Sequence, residues 1–177
     1  MGQGFSNYLI ISKSLQKPPT KPVDKNNPHI FLDIDGVLNC ARVRNEDRST
    51  HYPSTELLSN LKEIADAIPN LIIILSSTWR LTETQRKAVD RSLATIDLKI
   101  SGYTPNMDLD ASGDRPDEIF EYIRVNNLQD NPWVAIDDMD MIAMNNNLNT
   151  INFCRTDDYD GLTIDKAYEV IEKLRTQ

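Results

Sequence analysis

His29-Ile-Phe-Leu-Asp33-Ile-Asp35-Gly36-Val37-Leu38 contains a short apolar run, Ile30 to Ile34, that reads as a buried strand and delivers two carboxylates at its end. Before it the composition is different. The stretch Lys17-Pro-Pro-Thr-Lys-Pro-Val-Asp-Lys-Asn-Asn-Pro28 cannot sustain a helix or a central strand, because its prolines lack amide donors and fix φ. Residues 1–28 are therefore expected to form a flexible tail, in which Tyr8 to Ile11 either form a short strand or pack on the body, and residues 29–177 a single folded domain.

Beyond that first strand, apolar runs alternate with amphipathic stretches. Leu57, Leu58, Leu61, Ile64, Ala65 and Ile68 recur at helical spacing until Pro69. Leu71-Ile-Ile-Ile-Leu75 is apolar on both faces, as a central parallel strand should be. Thr82 with Gln85 opens a helix to about Thr95. Leu98 to Ser101 reads as a strand, Pro116 to Asn126 as a helix, and Trp133 to Ile136 and Thr150 to Phe153 as two further strands. Thr163 caps a last helix, with Ala167, Val170, Ile171 and Leu174 on one face. Strands alternating with helices predict an α/β fold, a Rossmann-like three-layer sandwich around a mainly parallel sheet. Ligands in such folds bind beyond the carboxyl ends of the strands.

Composition narrows what the domain can do. At 177 residues, 40% hydrophobic and 26% charged, the chain fits one soluble domain with a sizeable core, and no apolar run is long enough to cross a bilayer. No secretory signal is legible at the N-terminus, and Cys40 and Cys154 read as free thiols of a reducing compartment, so a cytoplasmic protein is expected. Net charge is −8; the tail, with four lysines and one acid, carries +3, which leaves −11 on the remainder. A body this acidic argues against non-specific nucleic-acid binding, whose affinity comes from neutralising phosphates. It suits carboxylates gathered around a divalent cation.

Three polar clusters end the predicted strands: Asp33 and Asp35, Ser76 and Ser77, Asp137 and Asp138. Arg115 opens the helix that leads into the last of these strands. Phosphoryl transfer needs such a set. One Asp can attack phosphorus to give an aspartyl-phosphate, and a second carboxyl can protonate the leaving oxygen and then deprotonate the attacking water. Mg²⁺ takes oxygen ligands and offsets the repulsion between anionic nucleophile and anionic phosphate. Hydroxyls, backbone amides and a fixed cation hold the other phosphate oxygens.

In order and in position these residues resemble the four motifs of the haloacid dehalogenase-like (HAD) superfamily. Asp33-Ile-Asp35-Gly36-Val37-Leu38 is similar to the first, Ser76 to the second, Arg115 to the third, and Ile136-Asp137-Asp138 to the paired-acid fourth. The resemblance implies Asp33 as nucleophile and Asp35 as general acid-base. It implies Mg²⁺ held by Asp33, the main-chain oxygen of Asp35 and Asp137, with Asp138 assisting through a water. Gly36, Ser76, Ser77 and Arg115 are the expected phosphate contacts. Arg80 is expected either to grip substrate or to pair with an acid. Leu75-Ser-Ser-Thr-Trp-Arg80, Arg115 with Glu118-Ile119, and Thr156-Asp157 before Gly161-Leu-Thr163 look like a capless branch that includes HAD domains of RNA-repair proteins. No insertion is large enough for a cap domain, and Cys40 to Pro53, with His51 and Tyr52, takes the place of a flap.

The expected activity is Mg-dependent phosphomonoester hydrolysis on a small-molecule or macromolecular phosphate; the alternatives are a nucleic-acid end phosphatase and a non-catalytic phosphate-binding scaffold. Asp108-Leu-Asp110-Ala-Ser112-Gly113 copies half of a calcium-binding loop, but its twelfth position is Ile119 and not Glu, so it reads as a solvated loop. Trp79 and Trp133 read as core residues. Met1-Gly2-Gln-Gly-Phe-Ser6 fits the myristoylation pattern, which would give Gly2 a membrane tether; the alternative is an unmodified tail.

Overall fold

A computed structural model describes residues 27–46, 52–107 and 115–177. The expected tail up to residue 26, Gly2 and the strand at Tyr8 to Ile11 included, lies outside the described residues, as do His51 and the loop from Asp108 to Gly113.

Five parallel strands form one sheet in the order β3-β2-β1-β4-β5: β1 His29–Leu32, β2 Ile72–Leu75, β3 Gly102–Tyr103, β4 Trp133–Asp137 and β5 Phe153–Arg155. The helices are α1 Ala41–Glu46, α2 Thr55–Ala67, α3 Glu83–Ala94, α4 Arg115–Asn126, α5 Met141–Met144 and α6 Ile164–Arg175, and a 3₁₀ turn covers Thr78–Leu81. β1 is central. His29 to Leu32 pair with Ile72 to Leu75 on one side and Trp133 to Ile136 on the other.

The period of two along each strand divides the core between the two faces. Ile30 and Leu32, Ile73 and Leu75, and Val134 and Ile136 join one cluster with residues of α2, α3 and α6. Phe31, Ile74, Trp133 and Ala135 join a second cluster with Ile119 and Ile123 of α4 and Met141 of α5. This is the expected three-layer sandwich. In the second layer Phe31 meets Tyr122 and Trp133 edge-on, at centroid distances of 5.7 and 5.6 Å, contacts each worth about 0.5–1.5 kcal/mol beyond their buried area. Helix starts follow the sequence: Ser54, Thr82 and Thr163 accept from the backbone N–H groups of Leu57, Gln85 and Lys166.

Two strands differ from expectation. The edge strand is Gly102–Tyr103 and not Leu98 to Ser101, because the sheet captures the chain only where Ser101 N bonds Ile73 O and Thr104 N bonds Leu75 O. β5 begins at Phe153 and not Thr150. The Asn149 side chain accepts from the amides of Ile151 and Asn152 and holds that stretch as a turn.

Candidate active site

The strand order reverses between β1 and β4, and the polar ends of these two strands meet there. Asp33 follows β1 and Asp137 ends β4; Asp33 N bonds Ile136 O at 3.0 Å, continuing the ladder to the rim. Asp33, Asp137 and Asp138 each offer a carboxylate oxygen within 4.8 Å of the others. Asp33 and Asp137 are buried, at 3% and 0% exposure.

Arg115, at the start of α4, reaches into this cluster. Its Nη1 lies 3.0 Å from Asp33 Oδ1 and 2.5 Å from Asp137 Oδ2. Burial works against the guanidinium's charge, but Asp33 and Asp137 hold it protonated, above its usual range. The carboxylates are pushed the other way. Burial, and then the neighbouring Asp137, raise Asp33 to about 7, against the opposing pull of Arg115 and a hydrogen bond from Ser77. Asp138 is raised by burial and by Asp137. One arginine thus leaves three close carboxylates under-neutralised.

These donors fit a hard divalent cation. All three are oxygen ligands, they converge, and a further positive charge would relieve the repulsion that raises Asp33. The backbone leaves room for the third. Gly36 sits at φ +72°, and a Cβ there would fall 2.4 Å from Asp138 Cγ. Glycine at 36 therefore serves both the turn and the close approach of the Asp138 carboxyl group.

Asp35 lies apart from the cluster. Its side chain faces a cleft of about 430 Å³ lined also by Asn39, Arg44, Tyr52, Trp79 and Gln85. Trp79 Nε1 donates to Asp35 Oδ2 and Asn39 Nδ2 to Asp35 Oδ1, each at 2.8 Å.

A family model described as the HAD domain in Swiss Army Knife RNA repair proteins matches residues 29–167. The chain belongs to that family. No curated protein and no solved structure matches it. The HAD domain makes a hydrolase of the phosphatase kind, with a phosphorylated substrate, the coarse reading of this site, and HAD domains typically use Mg²⁺. No helix among the described residues is long and apolar enough to cross a membrane.

Besides Asp35, the sequence-predicted residues divide into three groups in this HAD domain. Asp33, Arg115, Asp137 and Asp138 are brought together, with Gly36 beside them. Ser76 and Ser77 are both buried at the end of β2, and Ser77 is the one whose side chain favours the charged form of Asp33.

Arg80 belongs elsewhere. Its Nε donates to Thr104 O, Nη1 to Ser76 O and Ser77 O, and Nη2 to Pro105 O and to Glu118 at 2.5 Å. All five N–H donors of the guanidinium are therefore engaged by the chain. The structure shows Arg80 paired with an acid, Glu118, and pinning the loop after β2 to the loop after β3. Burial pushes Arg80 below and Glu118 above its usual range, and their mutual attraction opposes both shifts.

Trp79 is buried in the core as expected, but its N–H has a second role at Asp35. Asn39 and Arg44 also line the site unannounced. Asn39 is in principle legible, four residues after Asp35 in the turn that Gly36 starts. The Trp79 contact, across 44 residues, left no local signal.

Proposed function

We propose that this domain hydrolyses phosphomonoesters with Mg²⁺ by an aspartyl-phosphate route. The observation that carries the proposal is the Asp33, Asp137 and Asp138 cluster at the switch point, bridged by Arg115, with Asp35 facing an open cleft beside it. Asp33, Asp137 and the main-chain oxygen of Asp35 would hold the ion, with Asp138 acting through a water. When bound, Mg²⁺ offsets the charge of the nucleophile and of the phosphate.

Asp33 attacks phosphorus as the bond from phosphorus to the leaving oxygen breaks, and Asp35 gives that oxygen its proton. Asp35 then takes a proton from a water whose oxygen attacks the phosphorus. The bond to Asp33 breaks, releasing inorganic phosphate and restoring the carboxylate. Ser77, Ser76, the backbone at Gly36 and Arg115 hold the remaining phosphate oxygens through these steps. Arg115 already bridges the nucleophile and Asp137, so it needs little motion to meet a phosphate there.

The family description, with its RNA repair proteins, favours a phosphorylated nucleic-acid end as a second reading of the substrate. Such a substrate would have to be gripped at its end, since a net charge of −8 disfavours binding along a phosphate backbone. The absence of a large cap expected from the sequence leaves room for one.

The test is hydrolysis of an aryl phosphate with and without Mg²⁺ by the wild type and by Asp33→Asn. Turnover that requires Mg²⁺ and disappears in the variant supports the route. Equal turnover by the two proteins would refute Asp33 as nucleophile. Failure of the wild type to bind either Mg²⁺ or beryllium fluoride would favour the non-catalytic scaffold.

A further inference from the structure

Asp35 is half-exposed, and a side chain of this kind ordinarily samples several staggered rotamers. Here both of its oxygens meet N–H donors, Trp79 Nε1 on Oδ2 and Asn39 Nδ2 on Oδ1. The indole donor is fixed. Trp79 is 7% exposed and packed into the core cluster shared by α2, α3 and α6. It sits on the 3₁₀ turn that Ser77 caps, and Arg80, the next residue, ties that turn to the main chain of Ser76, Ser77, Thr104 and Pro105.

We propose that Trp79 is a positioning residue whose indole N–H holds the Asp35 carboxyl group at the wall of the cleft, aimed at the oxygen of the leaving group. The inference rests on the phosphatase reading above. The indole nitrogen donates and cannot accept. Fixing the carboxyl group before the reaction removes a rotational search from the step. The leaving group itself occupies the cleft beside Asp35, against Tyr52 and Gln85, where Arg44 Nη1 lies 3.6 Å from Asp35 Oδ1.

Trp79→Phe keeps an aromatic ring in the core and removes the N–H. The measurement is kcat/KM for a simple alkyl phosphate and for p-nitrophenyl phosphate on the same enzyme preparation. An alkoxide needs the proton of Asp35 to leave, whereas nitrophenolate leaves without it. The expected result is an alkyl rate lower by about tenfold to a hundredfold, with the aryl rate lower by less than about threefold. Because the readout is a ratio, any loss of folded protein cancels. An unchanged ratio would overturn the role of Trp79 and leave the phosphatase reading intact. Hydrolysis of neither ester by a wild type that also binds neither Mg²⁺ nor beryllium fluoride would overturn both.

A second readout does not depend on turnover. The chain has two tryptophans, and the indole N–H resonance that disappears in Trp79→Phe identifies Trp79. That resonance should move in Asp35→Ala while that of Trp133 stays in place. An unmoved Trp79 resonance would contradict the contact.

Discussion

The two edges of the sheet bury charge-bearing groups in opposite ways. At the carboxyl edge Asp33, Arg80, Glu118 and Asp137 are all buried, and each has a charged partner within 3.0 Å. At the amino edge His29 is 1% exposed, and only the Asn27 main chain favours its charged form. Burial drives His29 down to about 4, so it is neutral in the folded protein. The same central strand thus carries at one end charges held ready by partners, and at the other a base kept uncharged by exclusion of water. At the carboxyl edge partners offset burial, at Asp33 and Asp137 for chemistry and at Arg80 and Glu118 to hold the loops together. At the amino edge the same burial bears only on stability.

Substitutions at either edge can break that contrast. The largest effect is expected from Asp33→Asn: turnover should fall by at least about a thousandfold, while the melting temperature without Mg²⁺ holds or rises, since a crowded carboxylate has been neutralised. A variant that lost stability in proportion to activity would place Asp33 with the structural groups. Next comes Arg80→Ala, which strands Glu118. It should cost about 3–5 kcal/mol in urea unfolding, and a cost below about 1 kcal/mol would mean that the pair does not hold the loops.

At the amino edge the effect is on pH dependence. The folded value of His29 lies below the ordinary 6.5, so the unfolded chain takes up the proton first. Its contribution is complete above pH 6.5 and is lost as pH falls toward 4, by about 3 kcal/mol in all. His29→Phe should flatten that part of the stability profile without altering turnover at neutral pH; an unchanged profile would show that His29 is not the group responsible. The smallest change is expected from Gly36→Ala, whose left-handed backbone should cost about 1–2 kcal/mol. The added methyl also displaces Asp138, so Mg²⁺ affinity should fall as well. Unaltered affinity, by isothermal titration, would separate Asp138 from the ion.

The sequence made legible what is written in local periodicity. β1, β2 and β4 are apolar runs and were readable as such, and the carboxylates that follow two of them lie where parallel strands put their ligands. β3 and β5 were placed a few residues early, because sheet pairing and the Asn149 turn, not hydrophobicity, set where those strands begin. The short helices α1 and α5 lack a periodic apolar face to announce them. For the site, residue type was readable and partner choice was not. Arg80 finds its acid 38 residues away, and only the fold shows that its remaining donors are taken by carbonyls. Ser76 and Ser77 were indistinguishable until the strand end set Ser77 as the hydroxyl that acts on Asp33.

Chemical trapping of the covalent adduct tests the central claim most directly. Protein quenched during turnover of a phosphate ester and treated with borohydride should yield homoserine at position 33, the reduction product of an aspartyl-phosphate. Asp33→Asn, treated alike, should yield none. Steady turnover with no homoserine at position 33, or with the adduct on another residue, would contradict the assignment of Asp33 as nucleophile.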